Sequence, residues 1–128
     1  MIKGDRMRIL LVDDEEELVS TLAERLFFRN IKADWVTSPD DALELAKNNR
    51  YDLALLDVKM PKINGFELKK KLTEQHPNMK FIFLTGHGLD KDYPIDISEA
   101  EVFNYLAKPC NIDNLIKTIT NVLSSNKG

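Results

Sequence analysis

The stretch Arg8–Glu17, RILLVDDEEE, places four consecutive apolar residues directly before five acidic ones. A short, continuous apolar run is typical of a strand that is buried in a parallel sheet. Adjacent carboxylates repel one another, so crowding them at a strand end lowers stability unless a positive charge lies nearby. The stretch therefore predicts a buried strand that ends at a site where a positively charged group is bound.

Outward from this stretch, short apolar runs alternate with segments of helical periodicity along the chain. Further strands are predicted at Lys32–Val36, Leu53–Leu56, Phe81–Leu84 and Val102–Ala107. Helices are predicted at Glu15–Phe28, from the N-cap Ser38 to about Asn48, at Gly65–Gln75 and at Ile112–Leu123. This alternation predicts a three-layer α/β fold, in which helices cover both faces of a five-stranded parallel sheet.

The segment Gly86–Glu101, GHGLDKDYPIDISEAE, fits the alternation poorly. Pro94 would interrupt the interior of a helix, and Ile95 and Ile97 alternate with polar residues. We therefore expect the fourth helix of the fold, which falls in this segment, to be short, displaced or irregular.

Composition restricts the class of protein. The 128 residues are 43% hydrophobic and 30% charged, which is ordinary for a single domain, with a core at about 7–124 and a tail or linker start at 125–128. A net charge of −3 without a long basic run gives no surface for nucleic acid or an anionic membrane. No apolar run could span a membrane, and the single cysteine suits a reducing cytoplasm.

Polar residues follow the predicted strands at the points where the strands end. Asp13 and Asp14 follow the first strand, Asp57 the third, Thr85 the fourth and Lys108 the fifth. Because parallel strands end at one edge of their sheet, these side chains are expected to converge. Three carboxylates suit Mg²⁺. A cation, an ammonium and a hydroxyl can together neutralise a phosphoryl group during its transfer, with Asp57 as the nucleophile that forms an aspartyl-phosphate.

At this point the chain resembles a response-regulator receiver domain, the phosphoacceptor domain of two-component signalling, of the chemotaxis-regulator type. The matching segments are LLVDDEEE, LALLDVKMPKINGFEL, FIFLTG and NYLAKP, in the family's order and spacing over about residues 7–124. The resemblance implies a single receiver domain. It also implies a flavodoxin-like, doubly wound sheet with strand order 2-1-3-4-5.

The resemblance also implies a role for each acid of the site. Asp57 is the expected phosphoacceptor, and Mg²⁺ is the expected cofactor. Asp14 would bind the metal directly and Asp13 mainly through a coordinated water. The backbone carbonyl of Lys59 would be a further metal ligand.

Three other residues are expected to transmit the signal. Lys108 would pair first with Asp57 and then with the phosphoryl oxygens, from a position set by a cis peptide bond before Pro109. Thr85 would donate its hydroxyl to the phosphate, and Tyr105 would move inward as Thr85 shifts. These roles come from the resemblance, since a lone tyrosine on a strand is more often a packing residue.

Simpler interpretations remain open for several residues. Lys59 and His87 stand where the family modulates the rate of phosphate loss, but His87 is equally well an exposed loop histidine. Asp13 could simply cap the first helix, and Glu15–Glu17 could do no more than favour its dipole.

The function implied is a cytoplasmic switch controlled by phosphorylation. A histidine kinase, a phosphotransfer protein or a small phosphodonor would supply the phosphoryl group to Asp57. The change would reach the face formed by the fourth helix, the fifth strand and the last helix. That face would then bind an effector domain, a target protein or a second copy in a homodimer. Apart from catalysing its own phosphorylation and dephosphorylation, such a domain is not an enzyme.

Two other functions compete with this one. A receiver-like scaffold could bind its partner without phosphate, but such a scaffold would be expected to have lost an acid, Asp57 or Lys108, and none is lost. A Mg²⁺-dependent phosphohydrolase with an aspartate nucleophile would carry a second aspartate two residues further on. Lys59 occupies that position, which argues against turnover.

Overall fold

The computed structural model describes residues 7–86 and 105–124, which form strands and helices in alternation. The strands are β1 (Arg8–Val12), β2 (Lys32–Val36), β3 (Leu53–Asp57), β4 (Lys80–Thr85) and β5 (Tyr105–Ala107). The helices are α1 (Glu16–Phe27), α2 (Pro39–Asn48), α3 (Gly65–Gln75) and α4 (Ile112–Ser124), so α4 is the last helix of the sequence prediction. Apart from Gly86, the segment expected to hold a short or irregular fourth helix lies outside the described residues, as does His87.

All strand pairs are parallel, and the order across the sheet is β2-β1-β3-β4-β5. The α/β class and the doubly wound order expected from the sequence are thereby confirmed. The register aligns the strand ends, because Val12 pairs with Leu56 and Thr85 with Ala107. Residues that immediately follow the strands are therefore delivered to one edge of the sheet.

The core consists of two apolar clusters, one on each face of the sheet. In β1, Ile9 and Leu11 face α1 and α4, whereas Leu10 and Val12 face α2 and α3. This period of two explains why a central strand reads as a continuous apolar run: both of its faces are covered. No helix within the described ranges is long and apolar enough to cross a membrane.

Side chains cap two of the helices at their first turns. Ser38 accepts a hydrogen bond from the backbone N–H of Asp41 at 3.1 Å, as its predicted capping role requires. Asn64 and Glu67 form a reciprocal capping box at the start of α3, with both hydrogen bonds at 2.9 Å. The second cap fixes the loop that joins β3 to α3.

Gly65 allows α3 to begin directly against the end of β3. Its backbone N–H donates a hydrogen bond to the carbonyl of Val58 at 2.9 Å. A Cβ atom at this position would lie 2.5 Å from the carbonyl oxygen of Asp57, a distance that real contacts do not reach. Any larger residue must therefore push the helix away from the strand that carries Asp57.

We predict that Gly65→Ala lowers the free energy of unfolding by about 1–3 kcal/mol, the usual cost of overpacking. This loss should appear although alanine favours a helix by about 1 kcal/mol over glycine. Urea denaturation followed by circular dichroism measures it. Gly86→Ala is the matched control, since its Cβ would make an ordinary contact of 3.8 Å with Lys108, and it should change stability by less than about 0.5 kcal/mol. Equal stability of the two variants would contradict the close approach at Gly65.

Candidate functional site

The candidate site lies at the carboxyl edge of the sheet. Asp13 and Asp57 are 1% and 3% exposed, and Thr85 is buried beside them. The backbone N–H of Lys108 donates to the carbonyl of Thr85 at 2.9 Å, which extends the β4–β5 pairing by one residue. The side chains predicted from four strand ends are therefore brought together as expected.

The ammonium of Lys108 is the centre of the site. Its Nζ atom lies 2.9 Å from Oδ2 of Asp13, 2.9 Å from Oε1 of Glu15 and 3.3 Å from Oδ1 of Asp57. The lysine side chain is only 14% exposed, so its ion pairs with the buried Asp13 and Asp57 form largely away from water, whereas the side chain of Glu15 is 61% exposed. An ammonium in this position compensates two carboxylates whose burial would otherwise be very unfavourable.

Proton affinities in the site reflect this burial. Burial and the negative charge of Asp13 raise the pKa of Asp57 to about 7, although Lys108 and a hydrogen bond from the backbone N–H of Lys59 act in the opposite direction. Burial likewise raises the pKa of Asp13. Burial alone would lower the pKa of Lys108, but its hydrogen bonds to Asp13 and Glu15 outweigh that effect and the pKa is raised. Lys108 therefore stays charged, whereas Asp57 holds its negative charge only weakly.

The acidic residues of the site fit a divalent cation. Asp13, Asp14 and Asp57 each offer a carboxylate oxygen, and these oxygens lie within 4.8 Å of one another. Oδ2 of Asp13 is buried and lies 2.9 Å from the ammonium of Lys108. Carboxylate oxygens grouped in this way are hard ligands of the kind that bind Mg²⁺.

An open cleft of about 490 Å³ leads to Asp57. Within the described residues it is lined by Asp14, Glu15, Leu18, Asp57, Lys59, Gly86, Lys108 and Pro109. A larger cleft of about 1020 Å³ continues along α1 and shares Glu15, Leu18, Lys108 and Pro109 with it. The cleft at Asp57 is therefore continuous with the surface along the first helix.

Tyr105 lies on the α3 side of the sheet in an aromatic cluster. Its ring centroid is 5.4 Å from that of Phe83 and 6.1 Å from that of Phe66, and the latter two are 4.6 Å apart. The tyrosine is half-buried. Tyr105 pairs with Phe83 in the β4–β5 register, one residue before the pair of Leu106 and Leu84. Its ring therefore links β5 to β4 and to α3.

The structure adds to the sequence interpretation in two ways. Asp13 does not cap α1, whose N-cap residue Glu15 forms no side-chain cap hydrogen bond; instead Oδ1 of Asp13 accepts the backbone N–H of Glu15 at 2.9 Å while Oδ2 faces Lys108. Glu15, which was expected only to favour the helix dipole, is a direct partner of Lys108. The peptide bond between Lys108 and Pro109 is cis, as expected.

Comparison with known proteins identifies the class that this fold and site define. Residues 9–120 match the family described as the response regulator receiver domain. The response regulator SaeR of Staphylococcus aureus is 29% identical over 93% of this chain, and the chain spans about half (51%) of its length.

Two solved structures show the same architecture. A CheY-like response regulator receiver domain protein from Methanospirillum hungatei JF-1 has a TM-score of 0.83, is 28% identical and is matched over 94% of this chain and 96% of its own. A complex of the histidine kinase ThkA with the response regulator protein TrrA contains a chain that is 31% identical, with a TM-score of 0.75 and coverage of 91% and 98%.

The chain belongs to the response regulator receiver domains, the phosphorylation-activated signalling switches of two-component systems.

We predict that Asp57→Asn stabilises the metal-free protein increasingly as the pH rises from about 4 to about 7. The ordinary pKa of the aspartate is 3.8 and its folded value is about 7, so in this range the folded wild type binds more protons than the unfolded chain. Its stability therefore falls with rising pH, whereas asparagine does not titrate. One pKa unit corresponds to about 1.4 kcal/mol, so a pKa raised from 3.8 to about 7 leads us to expect an advantage on the order of 4 kcal/mol at pH 7.

Urea denaturation at a series of pH values, with a chelator present, measures this difference. The exposed Asp40→Asn is the control for removal of a negative charge. An Asp57→Asn advantage that does not vary between pH 4 and 7 would contradict the raised pKa.

Proposed function

We propose that Asp57 accepts the phosphoryl group by which this receiver domain is switched. The observation that carries the proposal is the contact between a buried, weakly ionised carboxylate and the ammonium of Lys108, with two further aspartates within metal-binding distance. The transfer is a nucleophilic substitution at phosphorus. An oxygen of Asp57 forms the new O–P bond, the P–N bond of a phosphohistidine breaks, and its electron pair returns to the imidazole.

Asp13, Asp14 and Asp57 would hold Mg²⁺, with the backbone carbonyl of Lys59 as a further proposed ligand. The metal would supply positive charge that favours ionised Asp57 and neutralises the phosphoryl oxygens. Lys108 would contribute a second positive charge, and its backbone is held by pairing with Thr85. The chain's own part in the chemistry is therefore to orient the nucleophile and to compensate the charge of the phosphoryl group.

The phosphoryl group would be sensed by Lys108 and Thr85. Thr85 ends the strand that pairs with β5, and Ala107 is its partner in the register. A shift of Thr85 toward the phosphate would thus act directly on β5 and on the aromatic cluster around Tyr105. Phosphorylation would thereby change the face expected from the sequence, which consists of β5, α4 and the helix predicted within Gly86–Glu101.

Three kinds of partner follow from this proposal. A sensor histidine kinase or phosphotransfer protein would be the donor, in keeping with the kinase complex of the related structure. An effector domain or target protein would read the altered face, and a second copy could bind it in a homodimer. The whole chain, 1–128, would act as one receiver domain that catalyses its own phosphorylation and dephosphorylation, with Lys59 and His87 setting the rate of phosphate loss.

We predict that acetyl phosphate adds one phosphoryl group to the protein and that the reaction requires Mg²⁺. Intact-mass spectrometry after rapid quenching measures the adduct. Asp57→Asn should abolish it because the nucleophile is removed. Asp52→Asn, at the other end of the same strand, is the matched control and should retain it. An adduct that persists in the Asp57 variant, or that forms equally well with a chelator, would contradict the proposal.

A further inference from the structure

Glu15 is the one described carboxylate that contacts Lys108 without belonging to the predicted metal-binding or phosphoacceptor groups. Its Oε1 accepts a hydrogen bond from Nζ at 2.9 Å. This contact equals that of Asp13 and is shorter than the 3.3 Å separation between Lys108 and Asp57. In this structure the ammonium is therefore held closer to Glu15 than to the residue that would carry the phosphate.

The backbone of Glu15 is fixed while its side chain can leave. Its N–H donates to Oδ1 of Asp13 at 2.9 Å, and its carbonyl accepts the N–H of Val19 at 3.1 Å in the first turn of α1. Its side chain, in contrast, is 61% exposed. The carboxylate can consequently exchange Lys108 for water without any change in the main chain.

We propose that Glu15 is a positioning residue that holds Lys108 in its resting place and so opposes retention of a phosphoryl group on Asp57. This inference rests on the proposed function of Asp57. An ammonium has three hydrogen-bond donors, and three carboxylates already surround this one. When Asp57 carries a phosphoryl group, one phosphoryl oxygen can take the place of Asp57 Oδ1 on Lys108, but a second can bind the ammonium only if Asp13 or Glu15 gives way.

Exposure decides which acceptor gives way. Asp13 is buried, so removing its ammonium would leave a carboxylate without compensation. Glu15 loses little by returning to water, because exposed ion pairs contribute only weakly to stability. Its negative charge also remains close to the phosphoryl group and repels it. Both effects favour the unphosphorylated state, so removing the charge should strengthen binding of a phosphoryl group.

The test uses beryllofluoride, which mimics a phosphoryl group on aspartate, titrated into the full chain with saturating Mg²⁺ and followed by NMR. Glu15→Gln removes the charge and keeps the shape. Glu16→Gln makes the same change one residue further on, and within the described residues Glu16 forms no ion pair with Lys108. Glu15→Gln should lower the apparent Kd by about two- to five-fold, the range expected for an exposed ion pair. Glu16→Gln should leave it nearly unchanged.

Two further readouts separate a role through Lys108 from a general effect on folding. The Kd advantage of Glu15→Gln should shrink at high salt, since interactions of exposed charges are screened. Without metal or beryllofluoride, the side-chain ¹³Cε and ¹Hε resonances of Lys108 should shift in Glu15→Gln and not in Glu16→Gln.

Each outcome decides a different question. Beryllofluoride binding that is equal in wild type and Glu15→Gln, or weaker in the variant, would overturn the role of Glu15 and leave the function of Asp57 intact. If both substitutions strengthened beryllofluoride binding equally, the effect would come from net charge alone, and the specific role of Glu15 would also be overturned. Failure of the wild type to bind beryllofluoride would instead overturn the proposed function, and the inference with it.

Discussion

The structure depends above all on the compensation of two buried carboxylates by one ammonium. Asp13 and Asp57 end the central strands β1 and β3, where they are almost without contact with water. Ionised groups in such a place must be paired, and Lys108 is the cation that reaches both. The lysine reaches them only because β5 pairs with β4 in a register that places it beside Thr85. The site can therefore form only when the strands pair in this order and register.

The positive charge of Lys108 does not fully compensate the negative charges around it, and this imbalance determines what the site can bind. Three carboxylates share one ammonium, and Asp14 adds another negative charge nearby. The pKa of Asp57 is raised to about 7, first by its burial and then by the negative charge of Asp13. Under the proposed function, a divalent cation would offset this negative charge when Asp57 accepts a phosphoryl group. The crowded carboxylates therefore lower stability at the site, while the apolar clusters on both faces of the sheet maintain the fold.

The sequence predicted the elements and the convergence of the site, because both follow from strong local rules. Continuous apolar runs located the central strands β1, β3 and β4, and the common edge of a parallel sheet brought Asp13, Asp57 and Lys108 together. The contact of Glu15 with Lys108 could not be predicted in this way, since it depends on side-chain conformation and on residues 93 positions apart. The capping box of Asn64 and Glu67 has a readable sequence signal, Asn-x-x-Glu at the start of the predicted helix Gly65–Gln75.

The central claim, that Lys108 and Asp57 form one coupled unit, is tested most directly by a double-mutant cycle on the free energy of unfolding. Lys108→Met, measured without metal at pH 8, should destabilise the wild type by about 3 kcal/mol or more, because it leaves buried carboxylates unpaired. In the Asp57→Asn background the same substitution should cost at least about 1 kcal/mol less. An equal cost in both backgrounds would show that the two residues are energetically independent and would contradict the account.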